Sequence, residues 1–329
     1  MKKLITAGLT VFALSLPSWA SAQDLTIYSG RGEALVGQVI KQFEQETGLK
    51  VDVRYGGTSE LATLLLEEGD KSPADVFWAQ DGGALGAVNA VFVELPAAVN
   101  EGVLPVFRNA DNKWVSTSGR TRTLVYSKDR VKPEDLPASI KDLANEKYKG
   151  RVGFAPTNGS FQAFLTAFRV AEGDDAVREW LKGLVANDAK KYRNNGTQLE
   201  AIANGEIDFG LVNNYYLGRY LANDSKFPVA QTGFGKGDVG NLVNVAGIGV
   251  VSASDNKEGA QRFIEYLLSP AAQQYITTQG NEYPVISGVI QNPTLPPIAE
   301  VLENAPAVDI NKLTDLEGTL ALLREAGLL

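Results

Sequence analysis

Residues 25–55 read LTIYSGRGEALVGQVIKQFEQETGLKVDVRY, and this stretch predicts how the chain begins to fold. The apolar segment at 25–28 is typical of a β-strand, and the alternating segment at 49–55 predicts a second strand. Between them, residues 33–47 carry apolar side chains at helical spacing, and Gly48 is a helix stop signal. The apolar positions are Leu35, Val36, Val39, Ile40 and Phe43. The stretch therefore predicts a strand, a helix and a second strand.

The same order recurs along the chain. Segments with helical spacing lie at 60–69, 161–171, 177–185 and 198–204, and strand-like segments lie at 74–80, 151–156 and 208–212. Repeated β-α-β order predicts an α/β protein with parallel strands, in which ligands bind at the carboxyl ends of the strands. Two further strand-like segments, RTRTLVYS (120–127) and VAGIGVV (245–251), are expected to connect two such units. Two connections of this kind predict a hinge between two lobes.

The first 22 residues, MKKLITAGLTVFALSLPSWASA, predict a cleavable secretory signal. Two lysines precede an apolar stretch from Leu4 to Leu16, and small residues end the segment. No later segment has the roughly 20 apolar residues that a membrane helix requires. Since the chain has no cysteine, we expect no lipid anchor. These features predict a free periplasmic protein that begins at Gln23.

Composition excludes several classes of function. The chain has no cysteine and no histidine, which excludes disulfides, thiolate metal sites and all histidine-based catalysis. Removal of the signal leaves 307 of 329 residues and changes the net charge from −8 to −10, because Lys2 and Lys3 are lost. An acidic surface is poorly suited to nucleic acid and favours encounter with a cation.

The sequence NNYY follows the strand-like segment that ends at residue 212. Neighbouring side chains on a strand point to opposite faces, so Tyr215 and Tyr216 can reach one ligand only from a turn or a helix start. A phenol has a pKa of about 10, but a small, highly charged cation can displace its proton and take the hard anionic oxygen. Ferric iron suits such oxygens best. For the pair alone, aromatic packing at the edge of a core is the favoured interpretation, and only the context of the pair favours a metal site.

Polar turns before two predicted helices offer donors for an anion. Residues 157–160 have the composition of a helix N-terminus, where free N–H groups attract anions, although an ordinary N-cap has the same composition. Residues 194–196 form a similar turn with amide donors. Arg31, Arg120 and Arg122 could clamp an anion, or they could pair with carboxylates.

Residues 24 to about 328 resemble the periplasmic ferric-ion-binding proteins of bacterial iron importers, which have the type II periplasmic binding fold. The segments that carry the resemblance are YSGR (28–31), FEQETGLKV (43–51), SPADVFWAQD (72–81), SGRTR (118–122), KGRVGFAPTNGSFQ (149–162), NGEIDFGLVNNYYL (204–217) and EYPV (282–285). The resemblance implies two lobes, each a central mixed sheet flanked by helices, joined by two hinge strands. We expect one lobe to comprise residues 23–121 and 248–298, and the other 122–247 and 299–329.

The resemblance also implies the ligands of the site. Tyr215 and Tyr216 match the paired tyrosines that hold Fe(III) in the family, which commonly adds carbonate, phosphate or another oxyanion. The residues that match its anion-binding positions are Asn158, Gly159, Ser160, Asn195 and Asn213. An inner-membrane ABC permease and its ATPase are the implied partners, ferric iron or a small ferric chelate is the implied cargo, and we expect a monomer that binds no nucleic acid.

Three positions depart from the family pattern. Gly32 and Gln80 stand where many members place a histidine and a glutamate, and Phe161 stands where some relatives have a further tyrosine. Two phenolates leave a ferric ion incompletely coordinated. We therefore expect anion oxygens or water to complete the shell, with Arg31, Gln80 and Asp81 as candidate contacts from the first lobe.

The sequence supports two other functions less well. The same fold could bind thiamine, a polyamine or an oxyanion, but a polyamine requires facing carboxylates, and the predicted rim is rich in Asn, Gly, Ser and Tyr. A periplasmic hydrolase is disfavoured, because the chain has neither histidine nor cysteine and no Gly-x-Ser-x-Gly motif. The sequence thus favours a binding protein over an enzyme.

Overall fold

A computed structural model describes residues 25–329, so the predicted signal at 1–22 lies outside the described residues. The strands are β1 Leu25–Ser29, β2 Val51–Tyr55, β3 Val76–Ala79, β4 Val115–Ser127, β5 Val152–Phe154, β6 Lys190–Lys191, β7 Phe209–Asn213, β8 Val229–Thr232 and β9 Val243–Val250. The α-helices are α1 Glu33–Thr47, α2 Thr58–Glu68, α3 Gly82–Ala87, α4 Ala97–Glu101, α5 Gly159–Glu172, α6 Asp174–Ala186, α7 Asn195–Ala203, α8 Tyr215–Asn223, α9 Lys257–Leu267, α10 Pro270–Gly280, α11 Ile298–Asn304 and α12 Leu316–Glu325.

Helix α1 has the bounds that the sequence predicts. Four of its five predicted apolar positions are buried, and Leu35 is partly buried against the same core. Gly48 ends the helix with φ at +74°, and its N–H donates to the carbonyl of Glu44. The left-handed conformation explains why glycine stands there. At 15 residues α1 is the longest helix of residues 25–329, and none of the helices in that range could span a membrane.

The strands form one mixed sheet in the order β2-β1-β3-β9-β4-β7-β5-β6, and β8 also pairs with β4. The predicted parallel pairing is confirmed for β1 with β2 and β3, and for β5 with β6 and β7. Strand β9 instead runs antiparallel to both β3 and β4. The reason is topological: β4 leaves the first half of the molecule and β9 returns to it, so the two run in opposite directions.

Two strands connect the halves, as the sequence predicts. Residues 115–121 of β4 pair with β9, and residues 122–127 pair with β7 and β8. Buried apolar side chains gather on both sides of this junction. Trp78 packs edge-on against Phe263 in the cluster of the first lobe, and Phe164 packs edge-on against Trp180 in that of the second. Each lobe therefore has a core of its own. The proposed chain division at 121/122, 247/248 and 298/299 stays a prediction.

A buried ion cluster fastens β4 to the first lobe. Glu282 is fully buried, with Oε2 at 2.8 Å from Arg31 Nη2 and Oε1 at 2.8 Å from Arg120 Nη2. Arg31 follows β1, Arg120 lies within β4, and Glu282 follows α10. Burial by itself would raise the pKa of Glu282, but Arg120 and Arg31 outweigh it and lower the pKa to about 2. The cluster thus keeps its charges in the interior and holds the hinge strand in place.

We predict that Gly247→Ala, in β9, destabilises the protein. An added Cβ would lie 2.7 Å from Leu85 Cδ1 and 2.8 Å from the carbonyl oxygen of Val115. We expect the free energy of unfolding, measured by urea titration, to fall by about 1–3 kcal/mol. Gly102→Ala is the matched control, since its added Cβ would meet nothing closer than 3.7 Å. Equal unfolding midpoints for the two variants would contradict the tight packing around β9.

We predict that Glu282→Gln lowers the free energy of unfolding at pH 7 by about 3–5 kcal/mol, because it leaves two buried guanidinium groups without a counter-charge. The folded-state pKa of Glu282 lies below the ordinary value of 4.5, at about 2. Its stabilising effect is therefore complete above pH 4.5 and is lost as the pH falls towards 2. The difference between wild type and variant in urea titrations should shrink over that range.

Glu303→Gln is the control for this prediction. Glu303 pairs with Lys236 at the surface, where both side chains are more than half exposed. We expect a loss below about 1 kcal/mol. A Glu282→Gln variant as stable as Glu303→Gln at pH 7 would show that the buried cluster is dispensable.

Candidate functional site

The two tyrosines of the NNYY segment lie where β7 passes into α8. Strand β7 ends at Asn213, and α8 begins at Tyr215. Asn214 already has helical backbone angles, with φ −54° and ψ −29°. The rings of Tyr215 and Tyr216 consequently stack, with centroids 4.6 Å apart and planes 28° apart. This is the helix start that two neighbouring side chains require in order to face one ligand.

Hydrogen-bond donors surround the phenol oxygen of Tyr215. It accepts from Gln80 Nε2 at 2.7 Å and from Asn213 Nδ2 at 3.2 Å. Arg219 Cζ lies 4.9 Å from the ring centroid of Tyr215 and 5.5 Å from that of Tyr216. The phenol oxygen of Tyr215 therefore lies among hydrogen-bond donors, and one guanidinium group lies close to both rings.

The surroundings of Tyr216 favour its neutral form. Burial, and then the phenol of Tyr215, raise the pKa of Tyr216 well above its ordinary value of 10.0. Arg219 and a hydrogen bond from Asn195 oppose the rise. Tyr215 contributes to the rise because two adjacent phenolates would repel each other at short range.

A cavity of about 440 Å³ lies in front of the pair, between the lobes. It brings together four of the predicted site residues, Gln80, Asn158, Tyr215 and Tyr216. The remaining lining residues are Gly30, Gly32, Ala34, Leu35, Arg219 and Gln279. No carboxylate is among the lining residues, and within residues 25–329 no three Asp or Glu side chains gather into a metal-binding group. The candidate metal ligands facing this cavity are therefore the phenols.

The predicted anion-binding residues collect around the start of α5. Asn158 is the N-cap, and its side-chain oxygen accepts from the N–H of Phe161 at 3.3 Å. Gly159 and Ser160 open the helix, and the buried Oγ of Ser160 has no hydrogen-bond partner in the described part of the chain. Asn195 Nδ2 lies 3.4 Å from Asn158 Oδ1. Free N–H groups and amide donors thus meet at one helix terminus beside the tyrosines.

The three first-lobe candidates have different surroundings. Gln80 reaches Tyr215 directly, while its Oε1 lies 3.4 Å from Arg31 Nη1. Arg31 is 1% exposed, is bound to Glu282 and does not line the cavity. Asp81 caps α3, where Oδ1 accepts from the N–H of Ala84 at 2.9 Å. Burial raises the pKa of Asp81, and the Ala84 amide and nearby Arg120 oppose that rise.

The three arginines that could clamp an anion are engaged within the protein. Arg31 and Arg120 both form ion pairs with Glu282. For these two residues the structure therefore shows the alternative interpretation, pairing with a carboxylate. Arg122 donates to Asn213 Oδ1 at 3.2 Å and to the carbonyl of Leu211 at 2.8 Å. Burial lowers the pKa of Arg122 to about 10. The Arg122 guanidinium therefore contacts Asn213, and the side-chain amide of Asn213 in turn donates to Tyr215.

The sequence did not predict the roles of Arg219 and Glu282, and it did not show what surrounds Gly32. Arg219 lies three and four residues after the tyrosines, and helical spacing could have placed it on their face. Glu282 lies in the segment EYPV, and its two partners are too far away in the sequence for a local pattern to indicate them. Gly32 lines the cavity, and a Cβ added there would meet no atom within 4 Å. The space beside Gly32 is therefore open.

Comparisons with known proteins agree with this architecture. The profile of the family described as bacterial extracellular solute-binding proteins matches residues 38–307. The "Major ferric iron-binding protein" of Neisseria meningitidis is 35% identical, with all of both chains aligned. The "Fe(3+)-binding periplasmic protein" of Serratia marcescens is 31% identical over 99% of this chain and 96% of its own length.

Solved structures give the same result for the fold. Iron-bound HitA from Pseudomonas aeruginosa is 33% identical and superposes with a TM-score of 0.87, over 92% of this chain and 99% of that one. A Trichodesmium protein in complex with iron and citrate is 29% identical, with a TM-score of 0.76 over 93% and 100% of the two chains. The two-lobed fold and the resemblance found in the sequence are thereby confirmed: the chain belongs to the bacterial extracellular solute-binding protein family and, within it, groups with the periplasmic ferric-ion-binding proteins.

Proposed function

We propose that this chain is a periplasmic binding protein that captures ferric iron between its lobes and delivers it to the permease and ATPase of an ABC importer. Tyr215 and Tyr216 supply the protein ligands as phenolates, and an oxyanion such as carbonate or phosphate binds with the metal. The observation that carries the proposal is the stacked tyrosine pair facing a polar cavity. Relatives named for ferric iron support it, as does the iron-bound structure from Pseudomonas.

The chemistry of the cavity selects among cargoes. Phenolate oxygen is a hard, anionic donor. A trivalent ion binds two phenolates more strongly than a divalent ion does, and so it offsets more of the free energy needed to remove the two phenol protons. A polyamine or thiamine carries positive charge and would meet Arg219 without any lining carboxylate. These two cationic cargoes are for that reason disfavoured. The relatives named above are binding proteins, which agrees with a role in capture and not in catalysis.

Charge counting supports the anion. Two phenolates leave a ferric centre with one positive charge, and the first lobe presents Gly32 and Gln80 at the positions of the family histidine and glutamate. An oxyanion at the start of α5 would neutralise the centre and accept from the N–H groups of Gly159 and Ser160. Asn195 and Asn213 would add amide donors. We assign Gln80 the role of a hydrogen-bond donor to the Tyr215 oxygen, where it favours the phenolate.

We predict a broad visible charge-transfer band in the ferric protein, because phenolate donates into the ferric d shell and the amides of the cavity do not. Tyr215→Phe and Tyr216→Phe should each lower ferric affinity by more than about 100-fold, since loss of an outer partner alone typically costs 10–100-fold. Absorbance titration with a ferric chelate measures both effects.

Tyr220→Phe is the control for the tyrosine variants. Tyr220 lies on the same helix, but its hydroxyl donates to Glu200 and its ring stacks on Phe227. Its affinity and spectrum should equal those of wild type. Stoichiometric, colourless iron in the wild type would show that the phenols are not ligands, and the pair would then be aromatic packing only.

We predict that Gln80→Glu raises ferric affinity at least about tenfold, or ~1.4 kcal/mol, in buffer free of carbonate, phosphate and citrate. The carboxylate would be a third anionic oxygen next to the Tyr215 phenol, which the amide now contacts at 2.7 Å. The dependence of affinity on added oxyanion should shrink at the same time. Gln279→Glu, an exposed position on the same cavity, adds the same charge without that contact and serves as control. Equal affinities for both variants would place the metal away from position 80.

A further inference from the structure

Asn214 lies between β7, which ends at Asn213, and α8, which begins at Tyr215, and it is 4% exposed. Two hydrogen bonds join it to Thr121 in the hinge strand β4. The backbone N–H of Asn214 donates to the carbonyl of Thr121 at 3.0 Å, and its side-chain Oδ1 accepts from the N–H of Thr121 at 2.9 Å. Asn214 therefore pairs with both backbone groups of Thr121, and with one of them through its side chain.

The side chain of Asn214 takes the place of a strand carbonyl. In an antiparallel ladder, two opposite residues that are hydrogen-bonded exchange both N–H···O=C bonds. Arg122 stands opposite Asn213 in the register of β4 and β7, so Asn214 is the next residue and stands opposite Thr121. Its backbone angles are already helical, however, and the carbonyl oxygen of a residue at this position accepts the first hydrogen bond within the helix. The Oδ1 atom supplies the acceptor that the ladder would otherwise lose.

Asparagine is a common N-cap residue, but Asn214 does not cap α8 with its side chain. That side chain makes no hydrogen bond to the N–H groups of the helix. Its Nδ2 is buried and has no partner within residues 25–329, so the contribution of the amide lies in the oxygen that accepts from Thr121. The side chain at the start of α8 is therefore bonded to the sheet and not to the helix.

This replacement permits an abrupt change from strand to helix. If the strand continued through Tyr215 and Tyr216, the two phenols would point to opposite faces of the sheet. Because the helix begins at Tyr215, the two rings stack with their centroids 4.6 Å apart, and both residues line the cavity. The residue at which the strand ends thus determines whether two neighbouring tyrosines can bind one metal ion.

Thr121 connects this arrangement to the hinge. It lies opposite Val243 in β9, at the end of the part of β4 that pairs with that strand. The next residue, Arg122, pairs with β7. The start of α8 is consequently bonded to β4 at the point where that strand passes from one lobe to the other, so the tyrosine pair is held by a strand that both lobes share.

We propose that Asn214 is a positioning residue for the metal ligands Tyr215 and Tyr216. Its side-chain oxygen completes the pairing of β4 and fixes the residue at which the strand becomes a helix, which brings both phenols to one face. Asn214 does not line the cavity and so does not touch the metal. The inference rests on the proposed role of the tyrosines, and it adds the residue that holds them together.

Asn214→Ala and Asn214→Asp test the role of the oxygen. Alanine removes the acceptor, and we expect a ferric affinity about 10–100-fold below that of wild type, the usual cost of losing a group that orients a metal ligand. The charge-transfer absorbance per bound iron should fall as well, because the phenols no longer reach one ion together. Aspartate keeps an oxygen in the same place, so its affinity should exceed that of the alanine variant by at least about tenfold. Absorbance titration with a ferric chelate measures all three proteins.

Hydrogen exchange of the Thr121 amide tests the contact without iron. In metal-free Asn214→Ala this amide lacks its acceptor, and we expect it to exchange at least about fivefold faster than in wild type. In Asn214→Asp it should exchange at the wild-type rate or more slowly. The comparison separates the oxygen from the added charge of aspartate, since charge without a hydrogen bond would not protect the amide. Nuclear magnetic resonance gives the rate for this one residue.

Asn100→Ala is the matched control. Asn100 is 3% exposed and lies in α4 of the first lobe, and its Oδ1 likewise accepts from a backbone N–H, that of Asn109. The variant should unfold at a lower urea concentration than wild type, yet keep the wild-type ferric affinity and band. Loss of a buried amide in general is thereby separated from loss of the amide that positions the tyrosines.

Wild-type affinity and band in Asn214→Ala would overturn the proposal, and so would equal losses in Asn214→Ala and Asn214→Asp. If Asn214→Ala does not fold, a folded Asn214→Asp protein without the band would overturn it alone. These outcomes leave the tyrosine assignment standing as long as wild type shows the band. A wild type that binds iron without the band would remove the assignment and the positioning role together. Unchanged Thr121 exchange in Asn214→Ala would show, without any iron, that the hydrogen bond does not hold α8.

Discussion

The burial of Glu282 between Arg31 and Arg120 is the interaction on which the site depends. Three charges out of water are tolerable only when opposite charges are paired at close range, and that pairing fixes the end of β1, the middle of β4 and the segment after α10 relative to one another. The same guanidinium groups donate hydrogen bonds to Gln80. Arg31 donates to its side-chain oxygen, and Arg120 donates to its backbone carbonyl. The amide that meets Tyr215 is thus oriented by the ion cluster, although the cluster itself lines no part of the cavity.

The second lobe contributes its side of the cleft mainly through side-chain amides and helix termini. Among residues 25–329, the buried carboxylates Asp75, Asp81 and Glu282 all lie in the first lobe, and the second lobe places amides and helix termini near the tyrosines. Arg122 supports Asn213, which donates to Tyr215, and Asn195 bridges towards Asn158 and Tyr216. Neutral donors of this kind stabilise negative oxygen without competing for the metal. The first lobe positions Gln80 through its buried ion cluster, and the second lobe contributes amide donors together with Arg219, so the polarity of the cleft comes largely from hydrogen-bond donors.

Local patterns in the sequence predicted the local structure well. Helix α1, its glycine stop, the strand-to-helix change at the tyrosines and the two connecting strands all follow from spacing and turn residues within some fifteen positions. The roles of Arg31 and Arg120 could not be predicted in this way, because Glu282 is 251 and 162 residues away from them in the sequence. An arginine that clamps an anion and one that pairs with a distant carboxylate look identical until the fold brings the partner in. The ligand roles of Tyr215, Tyr216 and the anion-binding residues stay predictions that the experiments above address.

The empty position at Gly32 has a consequence for how cargo is handed over. Both proposed protein ligands lie on α8, in one lobe, and on the facing wall a Cβ added at Gly32 would meet no atom within 4 Å. With the proposed ligand set, opening the cleft would break no bond between the metal and the first lobe, and only water or an exchangeable anion would have to be replaced. The rate of release would then be set by ligand exchange in one lobe, and faster release would come with weaker retention of the metal.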